Sequence, residues 1–135
     1  MYKAGKTAIL SGDIDLVNSD IAAALVDLSE YTPDTLNDST LADIPDDAIL
    51  SECLLTGKML TDSDTPGEVI FDADDVVFPS VEDGRTGSAV VVFLDDETVG
   101  NTRLICIVDD ATGLPAEATG EDIELIWSDN GILGM

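Results

Sequence analysis

Short apolar runs alternate with clusters of Gly, Pro and Asp along most of this chain, a pattern that predicts β-strands joined by turns. The candidate strands are residues 48–54, 56–61, 68–72, 76–81, 88–95, 102–108 and 122–128. In the last of these, Ile123, Leu125 and Trp127 alternate with polar positions and share one face. Seven to eight short strands without long helical patterns between them predict one all-β domain over residues 1–135, mainly an antiparallel sandwich or barrel.

The first part of the chain has a different pattern. Residues 1–20 are expected to form an N-terminal arm or a short helix, and Lys3–Ser11 is the helical candidate because Gly12 can end it in a left-handed conformation. Residues 21–28 fit both the spacing of a helix and a fully buried strand, so periodicity alone leaves both structures open.

A polar stretch follows at residues 31–44, and it is predicted to be an ordered loop. Leu36 and Leu41 are its expected apolar anchors, and one helical turn is expected around residues 39–43. A turn signal, Pro45-Asp-Asp47, closes the loop before the strands begin.

Two candidate strands, Ala89–Leu94 and Leu104–Val108, are apolar at consecutive positions and do not alternate. An antiparallel strand with one solvated face should alternate, so both faces of these strands need cover. Either a loop or the N-terminal segment of the same chain covers the second face, or a second subunit or partner protein does. The candidate residues for a partner interface on that face are Val91, Phe93, Ile105 and Ile107.

The chain carries 29 acidic and 5 basic residues and no histidine, which gives a net charge of −24. Nucleic-acid binding requires clustered Lys and Arg that displace counterions, and five scattered bases do not form such a cluster. Anionic membranes are disfavoured for the same reason, and no apolar run approaches the ~20 residues of a membrane span. Hydrophobic residues still make up 44% of the chain, which is typical of a folded domain.

Two lysines and two cysteines are notable for their positions. Lys3 and Lys6 give the N-terminal segment a local positive patch, which either attracts acidic groups of a partner or belongs to a solvated tail. Cys53 and Cys106 lie alone in apolar runs, without the spacing of a zinc or redox motif. They are predicted to be buried free thiols of a protein made in a reducing compartment.

The candidate chemistry of the chain is restricted to its acids. The absence of histidine excludes Ser-His-Asp and Cys-His catalysis and imidazole metal sites. Paired carboxylates suggest calcium binding or glycosidase chemistry, and the candidates are Asp62/Asp64, Asp72/Asp74/Asp75, Asp95/Asp96/Glu97 and Asp109/Asp110. None of these fits a twelve-residue calcium loop, and six aromatic residues are few for a sugar-binding cleft. The prediction is therefore solvated loop acids, with no enzymatic activity, no cofactor and no metal site.

The order of segments resembles that of a known family, the small virion structural proteins of tailed bacteriophages. The resemblance covers nearly the whole chain, and no single motif in it is catalytic. It is carried by Gly12-Asp-Ile-Asp-Leu-Val-Asn-Ser-Asp-Ile21, Ala24-Leu-Val-Asp27, Tyr31-Thr-Pro-Asp34, Leu41-Ala-Asp-Ile-Pro45, Leu55-Thr-Gly-Lys58, Phe71-Asp-Ala-Asp-Asp-Val76, Ala89-Val-Val-Val-Phe93, Thr102-Arg-Leu-Ile105, Thr112-Gly-Leu-Pro115, Ile123-Glu-Leu-Ile-Trp127 and Asn130-Gly-Ile-Leu133.

This resemblance implies a β-rich protein without enzymatic activity, made in the host cytoplasm and built into the phage particle in many copies. It also implies that residues 21–28 form a strand. The function we expect is that of a capsid cement or decoration protein, with the major capsid protein and further copies of itself as partners. The alternatives are a tail or baseplate structural or host-contact module and, from another class, a cation-dependent carbohydrate-binding β-sandwich.

Overall fold

The structure is a computed structural model of the chain, and it describes residues 1–95 and 102–135. The described residues form one α-helix, two 3₁₀ turns and eleven strands. The helix is α1, Lys3–Ser11, and the 3₁₀ turns are Leu41–Asp43 and Asp46–Ala48. The strands are β1 Ile21–Val26, β2 Ile49–Leu54, β3 Met59–Asp62, β4 Val69–Asp72, β5 Val76–Phe78, β6 Thr86–Gly87, β7 Ala89–Leu94, β8 Leu104–Val108, β9 Ala116–Glu117, β10 Ile123–Leu125 and β11 Leu133–Gly134.

Four strands form a central antiparallel sheet in the order β2-β1-β7-β8. The remaining strands form three smaller antiparallel sheets, in the orders β11-β4-β3, β10-β5 and β6-β9. Every residue of β1 is buried, and so are the first five residues of β7. The all-β fold class with a short N-terminal helix is therefore confirmed. The smaller sheets add strands beyond the seven or eight that the sequence predicts.

The central sheet has an apolar layer on each face. The first layer packs between the central sheet and the smaller sheets, and it includes Val92, Phe71, Phe78 and Leu125. The second layer lies on the opposite face and includes the residues Ala22, Ala24, Val26, Ala89, Val91, Phe93 and Leu104. Strands buried on both faces read as continuous apolar runs, which explains why β1 and β7 do not alternate.

A bulge in β8 assigns its residues to the two layers. Phe93 pairs with Leu104 and Val92 pairs with Cys106, so Ile105 is an extra residue between these two pairs. Leu104 lies in the second layer, whereas Ile105 and Cys106 both lie in the first. The bulge therefore lets two consecutive residues of β8 contact the same layer.

The segment between β1 and β2 covers the second layer. Its residues Tyr31, Ile44 and Ala48 are buried there, together with Tyr2 from the N-terminus. The backbone of Leu41 donates a hydrogen bond to Thr102 O (2.9 Å), which holds the segment against the start of β8. The expected ordered loop with a helical turn is confirmed. The expectation that Leu36 anchors it is wrong, because that side chain is 73% exposed and Tyr31 and Ile44 take its place.

Helix α1 packs against β8 at very short range. Gly5 faces β8, and a Cβ atom at this position would lie 2.5 Å from Leu104 O and 2.6 Å from Ile105 Cα. Gly12 ends the helix at φ 84°, the left-handed conformation that the sequence predicts. Glycine lowers helix propensity, but at Gly5 it permits the contact that fixes the helix on the sheet.

Candidate functional site

The structure places three of the four predicted interface residues in the core. Val91, Phe93 and Ile105 are buried, and Ile107 is half-buried at the margin of the second layer. Of the two alternatives for covering the second face, the structure favours the chain's own loop and N-terminus. Val91 and Phe93 point into the layer that this loop covers, and a partner would reach them only after the loop had moved away.

The predicted positive patch lies on α1. Lys3 and Lys6 are both exposed, and the backbone N–H of Lys3 donates to Thr35 O at 2.8 Å. These lysines therefore lie on an ordered helix.

Two of the remaining bases bind backbone carbonyls within the chain. Lys58 Nζ donates to the carbonyl oxygen of Ser19, next to the start of β1. Arg85 Nη1 donates to the carbonyl oxygen of Ile49 at 3.4 Å. These two cations hold segments of the fold together and leave the surrounding surface acidic.

Several aspartates accept hydrogen bonds from backbone N–H groups two or three residues further along the chain, which forms tight turns. In two turns with the same geometry, Asp15 and Asp34 each accept two backbone N–H bonds through Oδ1, and Oδ2 accepts the side-chain amide of Asn18 and Asn37, respectively. These bonds favour the ionised carboxylate, so the pKa values of Asp15 and Asp34 are lowered. The Asp-x-x-Asn spacing occurs at both places in the sequence and is the local signal of these turns.

A buried chain of hydrogen bonds connects the N-terminus to the covering loop. The hydroxyl groups of Tyr2 and Tyr31 lie 2.7 Å apart, and Tyr31 donates to Asp38 Oδ2 at 2.8 Å. Since a hydroxyl group has one donor hydrogen and that of Tyr31 is engaged with Asp38, Tyr2 is the donor in its hydrogen bond to Tyr31. Burial raises the pKa of Tyr2 to about 12 and also raises the pKa of Tyr31, which accepts from Tyr2 and faces Asp38.

One small cavity combines two carboxylates and a thiol. It has a volume of about 210 Å³, and its lining includes Glu52, Cys53, Phe93 and Asp95. Burial, and secondarily the charge of Asp95, raises the pKa of Glu52. The cavity is smaller than the roughly 300–1,000 Å³ of typical small-molecule sites, so it offers little room for a substrate.

The two cysteines are free, Cys106 being buried and Cys53 half-buried. Burial raises the pKa of the Cys53 thiol to about 11 and that of Cys106 to about 12. Thiols with raised pKa values are poor nucleophiles at neutral pH, because the thiolate is the reactive form. The prediction of free thiols is confirmed, with burial complete for Cys106 and partial for Cys53.

An acidic cavity of about 470 Å³ lies beside the three-stranded sheet β11-β4-β3. Its lining contains the carboxylates of Asp62, Asp64, Glu68, Asp72 and Asp129. Of the predicted acidic groups, both members of Asp62/Asp64 line this cavity but only Asp72 of Asp72/Asp74/Asp75 does, and Asp109/Asp110 is not among its lining residues. In the part of the chain that the structure describes, no three acids or thiols come together in a geometry that would hold a metal ion. Asp96 and Glu97 lie outside the described residues.

The same sheet exposes apolar side chains that the sequence did not reveal as surface. All four residues of β3 are exposed, including Met59 and Leu60. Val69 and Met135, which are joined to each other by two backbone hydrogen bonds, are also exposed. The apolar run that contains Met59 and Leu60 predicts a strand. That this strand lies at the edge of a sheet follows only from its pairing with β4 in the folded chain.

Neither a scan of protein-family models nor a search of curated proteins finds a match to this chain. Within residues 1–95 and 102–135, no helix is long and apolar enough to cross a membrane. The fold and its surface define an acidic all-β domain with a self-covered central sheet and an exposed edge strand beside an acidic cavity.

Proposed function

We propose that this chain is a non-enzymatic structural protein of a tailed-bacteriophage particle, and that it acts as a capsid cement or decoration protein on the lattice of the major capsid protein. The resemblance of its segments to small virion structural proteins motivates the choice of particle. The observation that carries the proposal is the self-contained β core. The chain covers both faces of its central sheet with its own residues.

Both ends of the described chain are tied into this core. Tyr2 N–H donates to Ile105 O at 2.9 Å, and Met135 exchanges two backbone hydrogen bonds with Val69, at 2.8 and 3.0 Å. Termini fray unless they are held in this way. A rigid domain with fixed ends suits a protein that bridges joints between capsid subunits, because such a bridge resists internal pressure only if it does not itself deform.

The acidic surface supports a structural role and not a catalytic one. Hydrogen bonds lower the pKa values of Asp15, Asp27, Asp34 and Asp43, so these carboxyl groups stay ionised at neutral pH. A carboxylate that stays ionised does not act as a general acid at that pH. The resulting negative field repels nucleic acid and neighbouring particles, which favours the outer surface of a shell.

The orientation on the shell follows from the distribution of charge and apolar surface. The acidic turns of Asp15 and Asp34 face outward, and the exposed apolar residues of the small sheets face the capsid. The face formed by Val91 and Phe93 does not serve as this contact, since the chain's own loop covers it. Copies of the chain occupy repeated positions of the lattice, so their number per particle is high.

Quantitative mass spectrometry of purified particles tests the proposal. A cement protein is present in a fixed ratio near that of the major capsid protein, whereas a tail or baseplate module is present in a small number of copies. A particle reconstruction then locates the chain. Its absence from purified particles would overturn the structural role, and density confined to the tail would overturn the cement role and favour the tail alternative.

A further inference from the structure

The open edge of strand β3 carries an inference that does not depend on the phage assignment. β3 lies at the end of the sheet order β11-β4-β3. In β4, Val69 and Phe71 direct their backbone groups to β11, as shown by the bonds of Val69 to Met135 and of Ile132 N–H to Phe71 O (2.9 Å). Successive residues of an antiparallel strand alternate between their two neighbours. Ile70 and Asp72 therefore direct theirs to β3.

The register of β3 then fixes which of its backbone groups point outward. Ile70 pairs with Thr61 and Asp72 pairs with Met59, so these pairs are the hydrogen-bonded ones. Leu60 and Asp62 consequently direct their N–H and C=O groups away from β4. Among the described residues, the backbone groups of these two have no partner outside β4. They form a row of donors and acceptors that an added strand can pair with.

One face of this small sheet continues the hydrophobic core to the surface. Leu60 pairs directly with the buried Phe71, and Val69 and Met135 lie on the same face because they are two residues along their strands. These three side chains are 56%, 46% and 43% exposed for Leu60, Val69 and Met135. An apolar side chain placed beside Leu60 would therefore extend an existing apolar surface.

The opposite face of the sheet presents the acidic cavity described above. Thr61, Ile70 and Asp72 lie on this face and line the cavity, and no Lys or Arg is among its lining residues. A side chain of an added strand opposite Thr61 would project towards this cavity. Asp72 shares the cavity face with Thr61, whereas Asp62 lies two residues from Leu60 on the other face. The surroundings of the edge therefore favour apolar residues beside Leu60 and cations on the face of the acidic cavity.

We propose that the edge of β3 binds an extended segment of another protein in which apolar residues alternate with Lys or Arg. The added strand pairs with the outward backbone groups of Leu60 and Asp62, its apolar residues pack beside Leu60, and its cations enter the acidic cavity. Charge complementarity selects this partner over a second copy of the chain. A second copy would bring another net charge of −24 to the same edge.

A peptide titration of the full chain tests the inference. The probe is the capped peptide Lys-Val-Lys-Val-Lys-Val-Lys, and binding is followed by fluorescence anisotropy and by amide NMR shifts. We expect saturable binding with one peptide per chain and shifts concentrated at residues 59–62. Affinity should fall from low salt to about 0.15 M, where the screening length is about 8 Å.

Matched controls separate backbone pairing from charge. The same peptide with N-methyl groups on its valines loses the donors that pair with an edge, and it should bind at least about tenfold more weakly. The variant Leu60→Pro removes an outward donor and should weaken binding similarly, whereas Leu60→Ala keeps that donor. If Leu60→Pro does not fold, the N-methylated peptide still tests the pairing on the unaltered chain. A peptide with Glu in place of Lys should not bind.

Three results would overturn the inference. They are equal binding of the N-methylated peptide, no binding of the lysine peptide at millimolar concentration, and a dimer in sedimentation whose contact maps to β3. The last result would assign the edge to a second copy. Peptide binding by a chain that is absent from phage particles would sustain this inference while the proposed function fails.

Discussion

The hydroxyl groups of Tyr2 and Tyr31 lie 2.7 Å apart in the covered layer of the central sheet, and this contact joins the N-terminus to the loop that covers it. Tyr31 donates its hydroxyl hydrogen bond to Asp38 Oδ2, so one carboxylate holds both rings in place. The covering loop is therefore fixed by a polar contact as well as by apolar packing. The stability of the cover can be tested by removing one hydroxyl group at a time.

The first prediction compares Tyr31→Phe with Tyr2→Phe. Tyr31→Phe removes both hydrogen bonds and leaves the buried Tyr2 hydroxyl without a partner, which should lower the free energy of unfolding by about 1–3 kcal/mol. Tyr2→Phe leaves the bond from Tyr31 to Asp38 intact and should cost about 0.5–1.5 kcal/mol. Urea unfolding measures both values, and a larger loss for Tyr2→Phe would contradict the proposed direction of the chain of bonds.

The second prediction concerns alkaline pH. The pKa of Tyr2 rises from 10.0 to about 12 on folding, and the pKa of Tyr31 is raised as well. The raised pKa means that the neutral phenol is favoured in the folded state, which stabilises the fold at every pH below 10. This contribution to the free energy of unfolding is lost as the pH rises towards 12. Phenolate absorbance should therefore not appear near pH 10 but should increase together with unfolding, as followed by circular dichroism. Separate phenolate titration of a folded chain would contradict the burial of the tyrosines.

A third prediction tests the contact between α1 and β8. Gly5→Ala places a Cβ atom 2.5 Å from Leu104 O and 2.6 Å from Ile105 Cα, and these backbone atoms of β8 cannot rotate away as a side chain could. Helix propensity alone would favour alanine by about 1 kcal/mol, but overpacking typically costs about 1–3 kcal/mol. We expect a net loss of stability in thermal unfolding. Lys6→Ala, an exposed position on the same helix, is the control and should change stability by no more than about 0.5 kcal/mol.

The Asp-x-x-Asn turns lead to a fourth prediction, at acid pH. The lowered pKa values of Asp15 and Asp34 mean that their contribution to stability is present above the unfolded value of 3.8. It is lost as the pH falls through their folded pKa values. Asp34→Ala should be less stable than the parent chain at neutral pH, and the difference should disappear in strong acid.

The control for this experiment is Asp109→Ala, which removes an exposed acid just after β8. Lowering the pH also reduces the electrostatic repulsion within a chain of net charge −24. Asp109→Ala removes one negative charge, as Asp34→Ala does, but it leaves the Asp-x-x-Asn turns intact. Unfolding midpoints measured over the same pH series separate the two effects. If Asp34→Ala and Asp109→Ala gave parallel curves, the turn bonds would contribute nothing specific.

The fifth prediction separates core from surface on two strands. Val91→Asp buries a charge at a position that is 0% exposed, and it should destabilise the chain by about 4 kcal/mol or more. Val77→Asp makes the same change on β5 at a position 47% exposed, opposite Glu124. It should cost no more than about 1 kcal/mol. A folded and soluble Val91→Asp variant would show that the loop does not seal this layer.

Features with local causes were predictable from the sequence. Helix α1 ends where Gly12 adopts positive φ, because turn chemistry acts on neighbouring residues. For the same reason the seven strands β2, β3, β4, β5, β7, β8 and β10 begin within a few residues of their predicted apolar runs. The helix-or-strand ambiguity at residues 21–28 needed more than periodicity. It is resolved as a strand by pairing with β2 and β7, two partners distant in sequence.

Features with long-range causes were not predictable in the same way. Consecutive apolar residues in β7 indicate that both faces are covered, but the identity of the cover depends on where residues 27–48 lie after folding. The two-residue pair β6-β9 is too short to leave a sequence pattern. Leu60 looks like any other strand residue in the sequence, and its exposure follows from the end position of β3 in its sheet.

The pairing of Met135 with Val69 has a practical consequence for attaching a label or cargo to this protein. A fusion after Met135 would leave the molecule from β11, which lies two strand spacings, about 10 Å, from the edge of β3. A bulky cargo there would compete with anything that approaches that edge. A fusion before Met1 would leave beside the buried Tyr2 and α1, on the side of β8. Display of cargo and capture of a partner strand are therefore best assigned to opposite ends of the chain.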